Sequence, residues 1–272
     1  MKVTQFYSNV GKSTAGLKTQ TGHFVKDGKP LLDAPIWGMT LLNAGSMRFR
    51  WSEDNRRRDE FFASLCGENR QVAPLELIHS KTVLLVDSCR ELYLKKADGV
   101  LTKNENLIPT VTVADCMPIF VYDTVSHFFG VLHSGWRGTG IIAEAYSLLH
   151  ESCGARAEDL CVVLGAHIRN CCYHVDKERA RYFAESFGDQ CVRQTDSGWA
   201  LSLEEANLAL LDKIGVPRDN VFCVGECTAC FSESGHFKYG SFRRETAAMA
   251  HDSPLEARQK AFTAQAAFAM VP

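Results

Sequence analysis

The sequence predicts an α+β fold in a single domain with mixed sheets. Strand-like apolar runs and amphipathic helical runs follow one another, but without the regular alternation that a doubly wound parallel sheet requires. The 272 residues contain no clean internal repeat, low-complexity segment or linker, although this length would also accommodate two small domains. We therefore expect residues 1–272 to form one domain.

Runs of β-branched and apolar residues predict the strands. Residues 75–87 are expected to form two strand pieces around a break at His79–Lys81, and residues 109–123 two strands around an Ala-Asp-Cys step. Residues 1–35 are polar and interrupted by Gly and Pro, which predicts short strands or loop. Further strands are predicted at 127–133, 158–168, 220–226 and, as a closing edge strand, 262–271.

Helical periodicity predicts the helices. A charged helix is expected to begin near Ser52 or Asp54, because both residue types are good N-caps. A second helical run, which starts after the glycines near residue 138, ends at Gly154, a typical C-terminal glycine. Two more helices are predicted at residues 177–188 and 201–215, each closed by its final glycine.

The composition is that of an ordinary globular protein. Apolar residues make up 46% and charged residues 23%, and a net charge of −2 gives no electrostatic footprint for nucleic acid or an anionic membrane. The N-terminus carries no continuous apolar stretch typical of a secretory signal, and no run approaches the roughly 20 apolar residues that span a bilayer. Together with eleven cysteines, an odd number, this predicts a cytoplasmic protein whose thiols are mostly reduced.

Three chemically capable side chains lie at the ends of predicted strands. His79, Cys116 and His133 each stand beside small or turn-forming residues. Their separations are too long for a zinc-ribbon pattern, and the lone Cys-x-x-Cys pair, Cys227 and Cys230, is a weak signal. If the three converge, two chemistries are open: a zinc site with three protein ligands and a free fourth position, or Cys116 as a nucleophile with a histidine base. The spacing alone does not show that they converge.

Longer motifs around these residues carry a family resemblance. The segment TVADCMPIFVYD followed by GVLHSGWRG closely resembles the YfiH-like family, labelled multicopper polyphenol oxidase or laccase-domain proteins. The resemblance runs from about residue 35 to the end, so residues 1–35 are poorly matched. Other segments similar to the family are Asn55–Arg56, Ala97–Gly99, GAHIRNCCYHV at 165–175, and the ECTACF and SFRRE stretches near the C-terminus.

The resemblance implies a fold, a metal and a class of reaction. It implies a four-layer α/β/β/α arrangement and one zinc ion per chain, held by His79, Cys116 and His133. It further implies a purine nucleoside enzyme that phosphorolyses adenosine, inosine and methylthioadenosine and deaminates adenosine, with the nucleoside and phosphate as its small-molecule partners. Bacterial members are also implicated in peptidoglycan editing, which makes a peptidoglycan-editing hydrolase an alternative.

The sequence departs from the family pattern near the expected pocket. The usual Gln-x-His-Gly step reads Leu77-Ile78-His79-Ser80, so a polar neighbour of the metal site is missing. The proline of the Gly-Pro-Ile step is replaced by Ala166, and the closing Thr-Gly-Arg is displaced. The three metal ligands are intact.

Phosphate binding and proton transfer need further side chains. Arginine suits phosphate because its guanidinium forms bidentate hydrogen bonds, and Arg56 and Arg137 stand in matching motifs. Arg137 is alternatively a clamp on nearby carbonyls. Asp115, beside Cys116, is either a catalytic general acid/base or a turn residue, and Trp136 is expected to pack rather than react.

The older family label leaves copper as an alternative cofactor and polyphenol oxidation as an alternative reaction. His79, Cys116 and His133 with the adjacent Met117 superficially match a blue-copper ligand set. However, Met117 directly follows Cys116, so in a continuing strand its side chain points the other way. The nine histidines also include no His-x-His pair, which a trinuclear copper cluster uses. A zinc-stabilised interaction module is disfavoured too, because structural zinc is usually held by four protein ligands.

Overall fold

The structure is a computed structural model that describes residues 7–8, 18–196, 198–250 and 252–272. Within the N-terminal segment it places short strands, as expected, at Thr19–His23, Val25–Lys26 and Lys29–Pro30. The prediction for residues 1–6 and 9–17 lies outside the described residues.

Six strands form the first sheet, and most of its pairs are antiparallel. The pair at one edge, between Gln71–Pro74 and Leu107–Val113, is parallel. In spatial order the strands are Tyr7–Ser8, Thr19–His23, Ile36–Thr40, Gln265–Met270, Leu107–Val113 and Gln71–Pro74.

The C-terminal strand lies inside this sheet, so its prediction as an edge strand was wrong. Gln265–Met270 pairs antiparallel with Ile36–Thr40 on one side and with Leu107–Val113 on the other. All six of its residues are buried. A strand that is covered on both faces has a continuous apolar sequence. This feature indicated a central strand, whereas the position at the end of the chain had suggested an edge strand.

The second sheet also has six strands, with an antiparallel centre and parallel pairs at both edges. Met117–Asp123 pairs antiparallel with Phe129–Ser134 and with Leu160–Leu164. In spatial order the strands are Val221–Cys223, Leu160–Leu164, Met117–Asp123, Phe129–Ser134, Gly99–Thr102 and Val83–Leu85. The prediction of a mixed α and β chain with mixed sheets is thus confirmed.

The two sheets pack face to face over a shared core that includes Trp37, Val111, Phe120, Val131 and Ala267. Helices pack against both sheets. The apolar side of α1 (Arg56–Cys66) contacts the first sheet through Phe61 and Leu65. The second sheet shares a core with α2 (Ile141–Cys153), α3 (Lys177–Phe187) and α4 (Leu203–Ile214).

Local signals explain where the helices begin and end. The first helix begins at Arg56, close to the predicted start, but its cap is Asn55 and not Ser52 or Asp54, because the side chain of Asn55 accepts a hydrogen bond from the Arg58 amide at 3.1 Å. The second helix ends at Gly154 with φ +70°, as predicted. The remaining elements are α5 (Phe242–Glu245), α6 (Leu255–Lys260), a three-stranded sheet of His174–Val175, Gly198–Leu201 and Val192–Thr195, and a hairpin of Ser232–Glu233 with His236–Phe237.

The predicted breaks in the strands place the candidate site residues in loops. The Ala-Asp-Cys step separates Leu107–Val113 from Met117–Asp123, as expected. Of the two strand pieces predicted within residues 75–87, the one after the break is confirmed at Val83–Leu85, whereas the strand before the break lies at Gln71–Pro74. His79 stands in the irregular segment between the two strands. No described helix is long and apolar enough to cross a membrane.

Candidate metal centre

His79, Cys116 and His133 converge. One ligand atom from each lies within 4.8 Å of the others. The antiparallel pairing of Met117–Asp123 with Phe129–Ser134 brings Cys116 beside His133, because Met117 stands opposite Ser134. His79 reaches the pair from its loop with a positive φ of 59°. The convergence that spacing alone could not establish is therefore present in the fold.

The buried carboxylate of Asp98 orients this trio. One oxygen accepts hydrogen bonds from His133 Nδ1 and from the His79 amide, both at 2.9 Å. The other accepts from the Ser80 amide at 2.6 Å and from the Ser80 hydroxyl at 2.7 Å. A carboxylate only accepts, so Nδ1 of His133 carries the proton and Nε2 is left for a metal or for Cys116.

The electrostatics of the metal-free site favour a charged pair. Burial opposes ionisation of the Cys116 thiol, but His133 and His79 outweigh it and lower the pKa of Cys116 to about 6. Burial likewise opposes protonation of His133, but the Cys116 thiolate and Asp98 raise its pKa to about 9. A cation at this site would replace the proton of His133 as the partner of the thiolate.

Close contacts explain two glycines of the Gly-Trp-Arg-Gly turn that follows His133. A Cβ atom at Gly135 would lie 2.8 Å from Sγ of Cys116. A Cβ atom at Gly138 would lie 3.0 Å from the carbonyl oxygen of Ser80. Glycine is needed at both positions so that the turn can pack directly on the trio.

Asp115 has the contacts of a turn residue. Its φ is +77°, and its side chain is buried. One carboxylate oxygen accepts a hydrogen bond from the Thr228 hydroxyl at 2.7 Å, and the other accepts from the Arg243 amide at 2.6 Å. These contacts match the second of the two roles considered for Asp115, and its role in proton transfer stays a prediction.

The two candidate phosphate residues lie in different surroundings. Arg137 is exposed on the loop that follows His133, with its guanidinium 4.9 Å from the centre of the Trp136 ring. Arg56 lies on the exposed side of α1 and pairs with Glu60 at 2.7 Å. Arg137 therefore lies on the loop that follows the ligand His133, but the structure does not bring Arg56 into contact with the trio.

Sequence reasoning missed three residues of this region. Asp98 was visible only as part of the Ala-Asp-Gly step, and Tyr173 as part of the Cys-Cys-Tyr segment. Arg179 lies in the helix predicted at residues 177–188 and carried no further signal. In the structure its guanidinium lies 4.4 Å from the centre of the Trp136 ring, on the same indole as Arg137. Arg179 also interacts with Tyr173, whose pKa is raised by burial and by the charge of Cys116.

The donor set fits zinc better than a multicopper centre. The sulfur of Met117 accepts a hydrogen bond from Asn207 of α4 at 3.6 Å, within the core, so it is engaged away from a blue-copper axial position. Within the described part of the chain, two groups of three or more possible ligands occur, and the trio is the one that contains histidine. Two histidines are too few for a trinuclear copper cluster.

Comparison with known proteins identifies the family. A family model described as multi-copper polyphenol oxidoreductase laccase matches residues 52–251, which is well over half of the chain. The chain therefore belongs to this family, and the resemblance to YfiH-like, laccase-domain proteins is confirmed.

The known relatives are named for chemistry on purine nucleosides. A purine nucleoside phosphorylase of Clostridium acetobutylicum is 29% identical over 178 residues, which cover 65% of this chain and 72% of the relative. An adenosine deaminase from an unknown prokaryotic organism is 32% identical over 162 residues, 57% of this chain and 60% of the relative. The crystal structure of the hypothetical protein YfiH of Bacillus licheniformis superposes with a TM-score of 0.72 at 22% identity, covering 88% of this chain and 93% of that protein. This last likeness establishes the fold alone.

Proposed function

We propose that this protein is a zinc-dependent purine nucleoside enzyme. It would phosphorolyse adenosine, inosine and methylthioadenosine, and deaminate adenosine. The observation that carries the proposal is the convergence of His79, Cys116 and His133 within 4.8 Å around a buried, orienting carboxylate. The names of the relatives supply the substrate class.

The trio fits a catalytic zinc ion. Two imidazoles and one thiolate are ligands that zinc prefers, and three protein ligands leave one of four positions free. When bound, the ion would supply Lewis-acid activation of a water or phosphate oxygen. The protein's own part is to fix the ligands, which Asp98 does through His133 and the backbone of His79.

Phosphorolysis also needs positive charge for phosphate. In this reaction a phosphate oxygen forms a bond to C1′ of the ribose while the bond from C1′ to the purine breaks. The electron pair leaves with the base, which takes up a proton. Arg137 and Arg179, which both stack on Trp136, would hold the phosphate near the trio. We keep Arg56 as a weaker candidate, which would have to leave Glu60 to take part.

Deamination makes a different demand on the same pocket. A water oxygen bonds to C6 of the adenine, the amino nitrogen leaves as ammonia, and one proton must pass from the water to the leaving nitrogen. We assign this proton transfer to Asp115, whose carboxylate would have to give up one of its two hydrogen bonds to act.

The proposal also covers the arrangement of the layers, the location of the protein and its binding partners. We propose that α1, the two sheets and helices α2–α4 form the four layers of one domain, and that the enzyme works in the cytoplasm as a binder of small molecules and not of nucleic acid. The second candidate is covalent catalysis in which Cys116 is the nucleophile. It is favoured because Asp98 orients His133, and His133 in turn contacts Cys116 as a base would.

A turnover assay tests the proposal. Release of free base from adenosine, inosine and methylthioadenosine is measured with and without phosphate, together with ammonia from adenosine. We expect His133→Ala to abolish both reactions, and the matched control His236→Ala, on an exposed strand, to keep them. Activity that survives removal of the metal would favour the Cys116 nucleophile. Cleavage of peptidoglycan fragments, with no action on any nucleoside, would favour the peptidoglycan-editing alternative.

A further inference from the structure

A second group of metal-binding side chains lies apart from the trio. We call Cys171, Cys172, Cys227 and Cys230 the cysteine cluster. One sulfur from each lies within 4.8 Å of the others. Cys227 is buried, Cys172 is half-buried, and Cys171 and Cys230 are exposed. None of the four is in a disulfide, and no step of the proposed reaction uses them.

The topology of the second sheet brings these cysteines together. Leu160–Leu164 and Val221–Cys223 are adjacent parallel strands, so the segments that follow them leave the sheet at the same edge. A β-bridge between His167 and Cys227 continues this parallel pairing. The fold thus places an adjacent pair of cysteines opposite a Cys-x-x-Cys turn.

The spacing of the sulfurs fits a tetrahedral ion. Zinc–sulfur bonds of about 2.3 Å in a tetrahedron hold the sulfurs roughly 3.8 Å apart. The sulfurs of Cys171 and Cys230 lie 3.6 Å apart. A disulfide would join only two of the four thiols, whereas four thiolates satisfy one zinc ion completely.

The backbone around Cys227 is arranged to support a thiolate. The Arg169 amide donates to Sγ of Cys227 at 3.4 Å, and the amides of Ala229 and Cys230 also donate to it. Amide donors that converge on a cysteine sulfur stabilise its charged form. The guanidinium of Arg169, held by Gly225 and Glu204, adds positive charge beside a site that would carry a net charge of about −2 with zinc bound.

The cluster is also open to an entering ion. A cavity of about 470 Å³, lined by Cys171, Cys227 and Cys230 among others, opens beside it. A preformed set of donors with an entry path is what a metal site requires.

We propose that the cysteine cluster binds a second zinc ion in a closed, four-thiolate site. The role of this ion follows from the contacts that the two cysteine-bearing segments make with Asp115. Ile168, on the first segment, donates its amide to the Asp115 carbonyl at 2.9 Å, and Thr228, on the second, donates its hydroxyl to the Asp115 carboxylate at 2.7 Å. The second ion therefore braces the turn that carries Cys116.

The test is the metal content of the full chain, purified without chelator. We expect about two zinc ions per chain in the wild type and about one in Cys171→Ser/Cys230→Ser, a twofold fall. These two thiols are exposed, which keeps the risk of misfolding low. The control Cys153→Ser, at an exposed thiol outside both sites, keeps two ions. In Cys116→Ala one ion remains, so this proposal can hold even where the proposed function fails.

Several outcomes would overturn the proposal. One zinc ion in both the wild type and the double variant would do so, and so would a disulfide between Cys171 and Cys230 in the protein as isolated. A measurement on the wild type needs no variant: after exchange with cadmium-113, the NMR spectrum should contain a far-downfield resonance from an all-thiolate site beside that of the mixed site. Its absence would contradict the proposal.

Discussion

The trio and the cysteine cluster both contain thiols that can bind a metal, but they differ in the number of their ligands and in the groups that support those ligands. The trio has three ligand residues, and the buried carboxylate of Asp98 orients one of them through its side chain. The cysteine cluster has four thiols, and among the described residues its support comes from backbone amides. Three ligands leave a position for a reactant, whereas four close the site. If both proposals hold, the number of donors, more than their identity, distinguishes a catalytic metal site from a structural one.

The two centres meet at one residue. Asp115 stands next to the ligand Cys116, and two of its hydrogen bonds, from Thr228 and Ile168, come from the segments that carry the cysteine cluster. A substitution in the cysteine cluster should therefore affect the trio only indirectly, by changing the position of the turn that carries Asp115 and Cys116.

The largest effect is expected from removal of a ligand of the trio. Cys116→Ala should lower turnover by more than about a thousandfold, because the Lewis-acid contribution of a metal is worth several kcal/mol. Steady-state base release checks this, with Cys153→Ala as the matched control at an exposed cysteine. Cys230→Ser should cost far less. Equal losses in Cys116→Ala and Cys230→Ser would erase the distinction between the two centres.

A smaller loss is expected when the orientation of the trio is disturbed. Asp98→Asn keeps the shape but gives His133 Nδ1 a weaker, neutral partner, and we expect metal affinity or turnover to fall about 10- to 100-fold. Competition with a zinc chelator measures the affinity. Asp33→Asn, at an exposed aspartate, is the control and should leave affinity unchanged. Unchanged affinity in Asp98→Asn would show that the trio needs no orienting carboxylate.

A still smaller effect is expected at the arginines that we propose to bind phosphate. Arg137→Ala should raise the KM for phosphate about tenfold while the metal content stays constant, because it removes a charge-assisted hydrogen bond. Arg181→Ala, at an exposed arginine of α3, serves as the control. If Arg137 is instead a clamp on carbonyls, the melting temperature falls and the KM stays the same.

The smallest change concerns the pH at which the thiols of the metal-free protein react. The pKa of Cys116 is lowered to about 6, so its alkylation should already be half-maximal near pH 6 and complete above it. Burial and the neighbouring sulfurs raise the pKa of Cys171 to about 11, so it should react only in alkaline solution. Alkylation followed by peptide mapping measures both midpoints. Zinc reloading should protect both residues, and coincident midpoints would contradict the contrast.

The sequence predicted those parts of the fold that have a local signature. The strands around the Ala-Asp-Cys step and the helix that ends at Gly154 follow from apolar periodicity and a terminal glycine. The central place of Gln265–Met270 could not be predicted in this way, because it depends on pairing with two strands distant in the chain.

The two centres also differed in how far the sequence could identify them. The trio was named through the family motifs, since its spacing alone left convergence open. The cysteine cluster was missed because a lone Cys-x-x-Cys is a weak signal, and its partners, Cys171 and Cys172, are joined to it only by a parallel strand pair. Asp98 was missed because a buried carboxylate has no signature before its partners are known.

The central claim is that the trio is the reactive centre, and one measurement tests it most directly. Release of purine base from inosine is followed with and without phosphate, first on the native protein, then after removal of the metal, and again after reloading with zinc. We expect phosphate-dependent release that disappears with the metal and returns with zinc. Release that is unaffected by removal of the metal, or no release from the zinc-loaded protein, would contradict it.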